Sequence, residues 1–198
     1  MKTKILLYFY LLLMLSLLVA GLLFPEQFTS LLERPELYLH AKFVHVLCVT
    51  LFVANAVIGT IWETRSLLSK NIGVIRHTYQ TVVWLDAVFT APLIIISVMS
   101  GITLGTILGG VWSLGWLSVA FALFLFSGAV WVIADIPTQY KVNQHFRALS
   151  EDAQEIPAPL LKLLWRRTGI SLLGTAPLII IFYLMIHKPA LPTLNELF

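Results

Sequence analysis

Lys42 and His45 stand three residues apart inside an apolar run, Tyr38 to Trp62, that also carries Asn55. That spacing puts the ammonium and the imidazole on one face of a helix. A neutral imidazole in such a setting can ligate haem iron, bind another metal or relay protons, and a neighbouring ammonium can hold a propionate or another anion. Asp86, beside Trp84 in a later apolar run, is the second candidate. A carboxylate within a span pairs with a cation, takes up a proton or faces water. Asn55 falls near the middle of its run, where an amide most often supplies an interhelical hydrogen bond. His187 closes the last apolar run and is a further polar candidate. Each also has a structural reading: His45 bonded to a neighbouring helix, Lys42 reaching for headgroups, and Asp86 paired with Arg76, Arg166 or Arg167 at the inner interface. Asp135, just before Pro137, reads as a solvated helix end, and His77 and His145 fall in polar connections.

The chemistry of soluble enzymes is missing from the sequence. There is no CxxC, HExxH, GxSxG, P-loop or dinucleotide-binding glycine pattern. The single cysteine, Cys48, allows no internal disulfide and excludes covalent c-type haem, which needs two.

Those candidates need elements to hold them, and composition says what kind. The 198 residues are 59% hydrophobic and only 12% charged, about half the charge of a soluble domain. This is the composition of a polytopic membrane protein. The net charge of +3 resides mainly in two connections, where topology explains it, so nucleic-acid binding is not indicated.

Five apolar runs are long enough to span a bilayer about 30 Å thick. The first, Ile5 to Phe24, exceeds the roughly 7 to 15 apolar residues of a signal peptide and is read as a retained helix. Pro25 to Leu37 forms a short, slightly acidic loop, Tyr38 to Trp62 helix two, and Glu63 to Thr81 a basic loop. Helix three covers about Val82 to Thr106 and helix four about Trp112 to Ile136, joined by an uncharged turn at Gly109 and Gly110. Pro137 to Thr168 is polar: an extension of helix four, a Pro-Ala-Pro break, then LLKLLWRR, whose Trp165, Arg166 and Arg167 suit a headgroup-level anchor. Helix five runs from Gly169 to Ile186.

With the N-terminus inside, ten basic residues are cytoplasmic: Lys2, Lys4, Arg65, Lys70, Arg76, Lys141, Arg147, Lys162, Arg166 and Arg167. Arg34, Lys42 and Lys188 remain for the other side, a positive-inside bias that sets the C-terminus outside. Thr90 to Ile96 recurs residue for residue as Thr175 to Ile181, which suggests two parallel helix pairs, two-three and four-five, in a four-helix core. Pro92 and Pro177 within these repeats should kink their helices. Ser97, Gly101, Gly105 and Gly109 form a ridge of small residues that allows close packing or, with a ligand from another helix, room for a flat cofactor.

Three segments resemble a bacterial family of predicted integral membrane proteins, domain-of-unknown-function family 2269: Lys42 to Leu47, Trp84 to Pro92 with Gly101 downstream, and Leu184 to Pro189. The resemblance extends over about Tyr38 to Pro189 and brings no activity with it. More distantly, the KxxH pair Lys42 and His45 is similar to the motif of HemJ-type membrane protoporphyrinogen oxidases, which bind b-type haem, and of CopD copper-resistance proteins. The Trp, Gly and Arg that follow in the HemJ pattern are Phe52, Asn55 and Ile61 here.

The expectation is an all-α bacterial inner-membrane protein with five transmembrane helices, N-in and C-out. It divides into an N-terminal helix and outer loop at 1–36, a four-helix core at 37–189 and a tail at 190–198. The leading functional expectation is haem b or porphyrin association, with His45 as axial ligand and Lys42 as propionate partner. Two alternatives stay open: a proton, ion or small-solute path through Asp86, Asn55 and His45, and a non-catalytic subunit of a larger membrane complex or homo-oligomer in the lipid bilayer.

Overall fold

The computed structural model describes residues 2–150, 153, 155–193 and 196. Six helices follow in order: α1 Lys2–Leu23, α2 Pro25–Leu32, α3 Leu37–Leu68, α4 Ile72–Ile107, α5 Gly115–Ala148 and α6 Ala158–His187. The last four are each long and apolar enough to cross a membrane. Their outer faces fit that solvent, because large apolar side chains such as Phe43, Ile61, Ile133 and Ile186 point away from the bundle.

Pairs of contacts fix the packing. His45 meets Ser97 and Asn55 meets Thr90, so α3 and α4 are antiparallel. Thr60 meets Ser171 and Glu63 meets Arg167, so α6 is antiparallel to α3. Asp135 lies against Arg167 and Lys188 against Trp116, which pairs α5 with α6 in the same sense. Thus α4 and α6, which carry the repeated Thr-Ala-Pro segments, run parallel, as two parallel hairpins require.

Several boundaries differ from the sequence expectation. Helix α3 runs on to Leu68 and α4 already starts at Ile72, so the basic loop shrinks to the turn at 69–71, and the Asn71 side chain caps α4 by accepting from Val74 N at 3.1 Å. The acidic loop before α3 contains α2, with Pro25 at its first position, where a missing N–H costs nothing. Helix α6 begins at Ala158 and absorbs the LLKLLWRR segment. The Gly109–Gly110 turn is as expected, with φ of +92° and +106° that an L side chain rarely adopts.

Of the kinks expected at Pro92 and Pro177, only the first coincides with a widened turn, and α5 has a matching one before Pro137. Asp86–Thr90 in α4 and Trp131–Asp135 in α5 are π-helical turns, and each ends one residue before an Xaa-Pro step, Ala91-Pro92 and Ile136-Pro137. Ala91 N–H donates to Asp86 O and Ile136 N–H to Trp131 O, both five residues back. A proline ring crowds the carbonyl four residues behind it, and a widened turn relieves that contact. Pro177 instead sits inside α6 with no such turn.

Two apolar clusters close the bundle. Leu67, Ile75, Tyr79, Val142, Phe146, Leu160 and Leu164 fill the end bearing the connections at 69–71 and 149–157. Ala120, Ile181 and Leu184 pack toward the other.

Candidate functional site

Each long helix turns a polar stripe inward at helical spacing. On α3 it is Asn55, Gly59 and Glu63; on α6, Arg167, Ser171 and Thr175; on α5, Ser127, Trp131, Asp135 and Gln139; on α4, Asp86 and Thr90. Residues four apart on an α-helix drift by about 40° per step. The π turns, which hold more residues per turn, take up that drift and keep Asp86 with Thr90, and Trp131 with Asp135, on one face.

The stripes, Gln139 apart, line a cavity of about 320 Å³ between all four long helices, with Met14 and Leu18 of α1 adding to its wall. Its walls are mostly apolar, including Phe52, Ile94, Phe124 and Leu178. At one end lies an ionic cluster. Arg167 donates through Nη1 to Glu63 Oε1, and its Nε lies 3.3 Å from Asp135 Oδ1 without the alignment of a hydrogen bond. Glu63, Arg167 and Asp135 retain only 1%, 2% and 6% of their exposure, so these charges face one another rather than solvent. The guanidinium also sits 5.1 Å from the Tyr79 ring centroid.

Asp86 is joined to this cluster through an amide. Gln139 Nε2 donates to Asp135 Oδ2 at 2.8 Å and to Asp86 Oδ2 at 3.2 Å. Among the described residues Asp86 makes no ion pair within 4 Å, so the expected pairing with Arg76, Arg166 or Arg167 is replaced by Gln139. Arg76 instead reaches the Phe146 carbonyl at 3.5 Å. Asn55 makes the interhelical bond expected of it, from Nδ2 to Thr90 Oγ1 at 2.8 Å, and Thr60 meets Ser171 at 2.8 Å. Thr175, the counterpart of Thr90 in the repeat, lines the same cavity.

Three sequence expectations are corrected here. Asp135 is buried in the cluster rather than solvated, because α5 continues past it to Ala148. Arg167 lies a helical turn and more inside α6 and faces the core rather than headgroups. Glu63 belongs to α3 and not to a loop. All three sit on continuations of inward stripes of small and polar residues, a signal present in the sequence at three- and four-residue spacing.

His45 occupies a different place. Its Nδ1 lies 2.8 Å from Ser97 O and 3.3 Å from Ser100 Oγ. A carbonyl only accepts, so the proton is on Nδ1 and Nε2 carries the lone pair. The ring edge fills the notch left by Gly101: a Cβ there would stand 2.9 Å from His45 Cε1. Val111 fills the next notch of the ridge, at Gly105. Lys42 is exposed, with Nζ 5.7 Å from the Tyr38 ring. His187 is exposed at the end of α6 against Tyr183, ring centroids 4.4 Å apart. Asp86 and Asn55 therefore share the cavity, and His45, Lys42 and His187 do not line it.

No curated protein and no solved structure matches the chain. Residues 39–189 match the family model described as predicted integral membrane protein (DUF2269), a stretch that holds α4, α5, α6, all of α3 but its first two residues, and the whole ionic cluster. The chain belongs to that family of integral membrane proteins.

Proposed function

We propose that this protein belongs to the transport class and that the cavity at Asp86 takes up a proton or a small cation and exchanges it between the two faces of a bacterial inner membrane. One observation carries the reading. Two carboxylates, Glu63 and Asp135, meet the Arg167 guanidinium, and a third, Asp86, is joined to them through Gln139, at a cavity enclosed by the four long helices. Unbalanced charge is expensive in low dielectric, and a proton or bound cation restores the balance. The apolar clusters at both ends are consistent with an occluded state, in which access alternates by movement of one hairpin against the other. In this reading the end bearing the 69–71 and 149–157 connections is cytoplasmic, with α1 as a fifth span and the C-terminus outside, which the excess of Lys and Arg toward those connections supports. Proteoliposomes carrying a pH gradient and a trapped pH-sensitive dye test the proposal: dissipation of the gradient above that of empty vesicles is expected. A gradient that persists as in empty vesicles, with and without added small cations, overturns it.

A second reading keeps His45 as axial ligand to haem b, with Lys42 as propionate partner. It is supported by the Ser97 carbonyl, which holds the proton on Nδ1 and leaves Nε2 as the donor a metal requires. Haem would supply one-electron redox chemistry; this chain would supply the oriented imidazole of His45 and the exposed ammonium of Lys42. A reduced-minus-oxidised spectrum of protein from haem-replete cells should then show a Soret band that His45→Ala abolishes. Its absence overturns this second reading.

A further inference from the structure

The cavity has charged and apolar parts, and the charged part is not uniformly committed. Glu63 and Asp135 both face Arg167. Asp86 accepts from Gln139 through Oδ2 alone, while Oδ1 receives no bond from the described residues and Asp86 keeps accessible surface on the cavity. The Gln139 amide nitrogen, a donor, stands between Asp86 and Asp135, where a chelated metal ion would need oxygen lone pairs. No three acidic, histidine or cysteine side chains among the described residues are grouped to hold a metal. A monovalent cation that can itself donate hydrogen bonds fits this carboxylate better.

An independent observation points to a ligand. Ser127, 7% exposed, lines the same cavity, and its Oγ has no hydrogen-bond partner among the described residues. A buried hydroxyl without a partner is costly and rare in a native structure. Apart from the ionic cluster and the amide and hydroxyls of Asn55, Thr60, Thr90, Ser171 and Thr175, the wall is apolar and aromatic, with Phe52, Phe124 and Trp131. At about 320 Å³ the space is at the small end of the range for ligand sites.

We propose that the cavity binds a small organic ammonium, an amine in its protonated form with a compact apolar body. The ammonium donates to Asp86 Oδ1, Ser127 offers a second hydrogen bond once its buried Oγ turns toward the cavity, and the body lies against the aromatic wall. This deepens the transport reading and rests on it for the identity of the site.

The test is calorimetric titration of the full-length protein in lipid nanodiscs, corrected for empty nanodiscs, with phenethylammonium. The neutral 2-phenylethanol and the anionic 3-phenylpropanoate, of similar shape, are titrated alongside. Saturable binding of the ammonium, about tenfold or more tighter than the alcohol, is expected from a charge-assisted bond in a dry site. Asp86→Asn should remove that preference and leave the alcohol unchanged, and Ser127→Ala should weaken the ammonium severalfold. Equal affinity for ammonium and alcohol in the unmodified protein overturns the proposal, and needs no variant that folds. So does a preference that survives Asp86→Asn. Asp86-dependent proton flux without ammonium binding overturns the ligand class and leaves the transport reading intact; ammonium binding without flux of proton or amine supports the ligand and contradicts transport.

Discussion

With Glu63 on one side and Asp135 on the other, Arg167 is, among the described residues, the only cation in contact with two buried acids. Removing it leaves those carboxylates facing each other without compensation. Arg167→Met should therefore cost about 3–5 kcal/mol, the scale for breaking a buried ion pair from one side. Glu63→Gln, which leaves Asp135 opposite the guanidinium, should cost less. Thermal unfolding in detergent checks the ranking, and a midpoint for Arg167→Met equal to that of the unmodified protein contradicts it. Gly101 offers a second test at this scale. A methyl group there meets the His45 ring at 2.9 Å and drives Nδ1 from the Ser97 carbonyl. Gly101→Ala should lose about 1–3 kcal/mol, and much less in a His45→Ala background, because the contact is then gone. Equal losses in both backgrounds would refute this. His45 stood out in the sequence because an imidazole inside a span is rare. Its partner did not, because that partner is a backbone carbonyl, which every residue carries. Arg167 looked like an interface anchor because the neighbouring Trp165 and Arg166 carry the expected signal, and both remain exposed.

At the scale of elements, the four long helices were legible from apolar length, and their pairing from the repeated Thr-Ala-Pro segment. Helix ends were less legible, since a helix that leaves a membrane continues in polar residues, as α3 does to Leu68, whereas the extension of α5 beyond Pro137, which runs to Ala148, was legible. The π turns were not foreseen as such, although Pro92 and Pro137 mark their positions. They matter because they aim Asp86 and Asp135 into one cavity. Helix α1 lies outside the family match yet lends Met14 and Leu18 to the cavity wall. Met14→Ala with Leu18→Ala should therefore enlarge the site and shift ligand preference toward bulkier ammonium ions, with little change for the smallest. Calorimetry across a graded series of arylalkylammonium ions checks this. An unchanged size profile would mean that α1 plays no part in selecting the ligand.

For the whole molecule, composition identified the solvent, and the charge bias proposed a direction across the membrane. It was the assembly of helices that joined Asp86, Asn55, Glu63, Asp135 and Arg167, residues drawn from four spans and up to 112 positions apart between Asn55 and Arg167. Sequence spacing alone separated Asp86 from His45 but could not show that Asp86 had a buried cluster for company. The most direct test of the site is therefore a comparison of two variants in proteoliposomes, scored by dissipation of a pH gradient and by uptake of labelled phenethylammonium. Asp86→Asn should abolish both while His45→Ala leaves both near the unmodified rate. Loss of flux in His45→Ala with full flux in Asp86→Asn would contradict the assignment of function to the cavity.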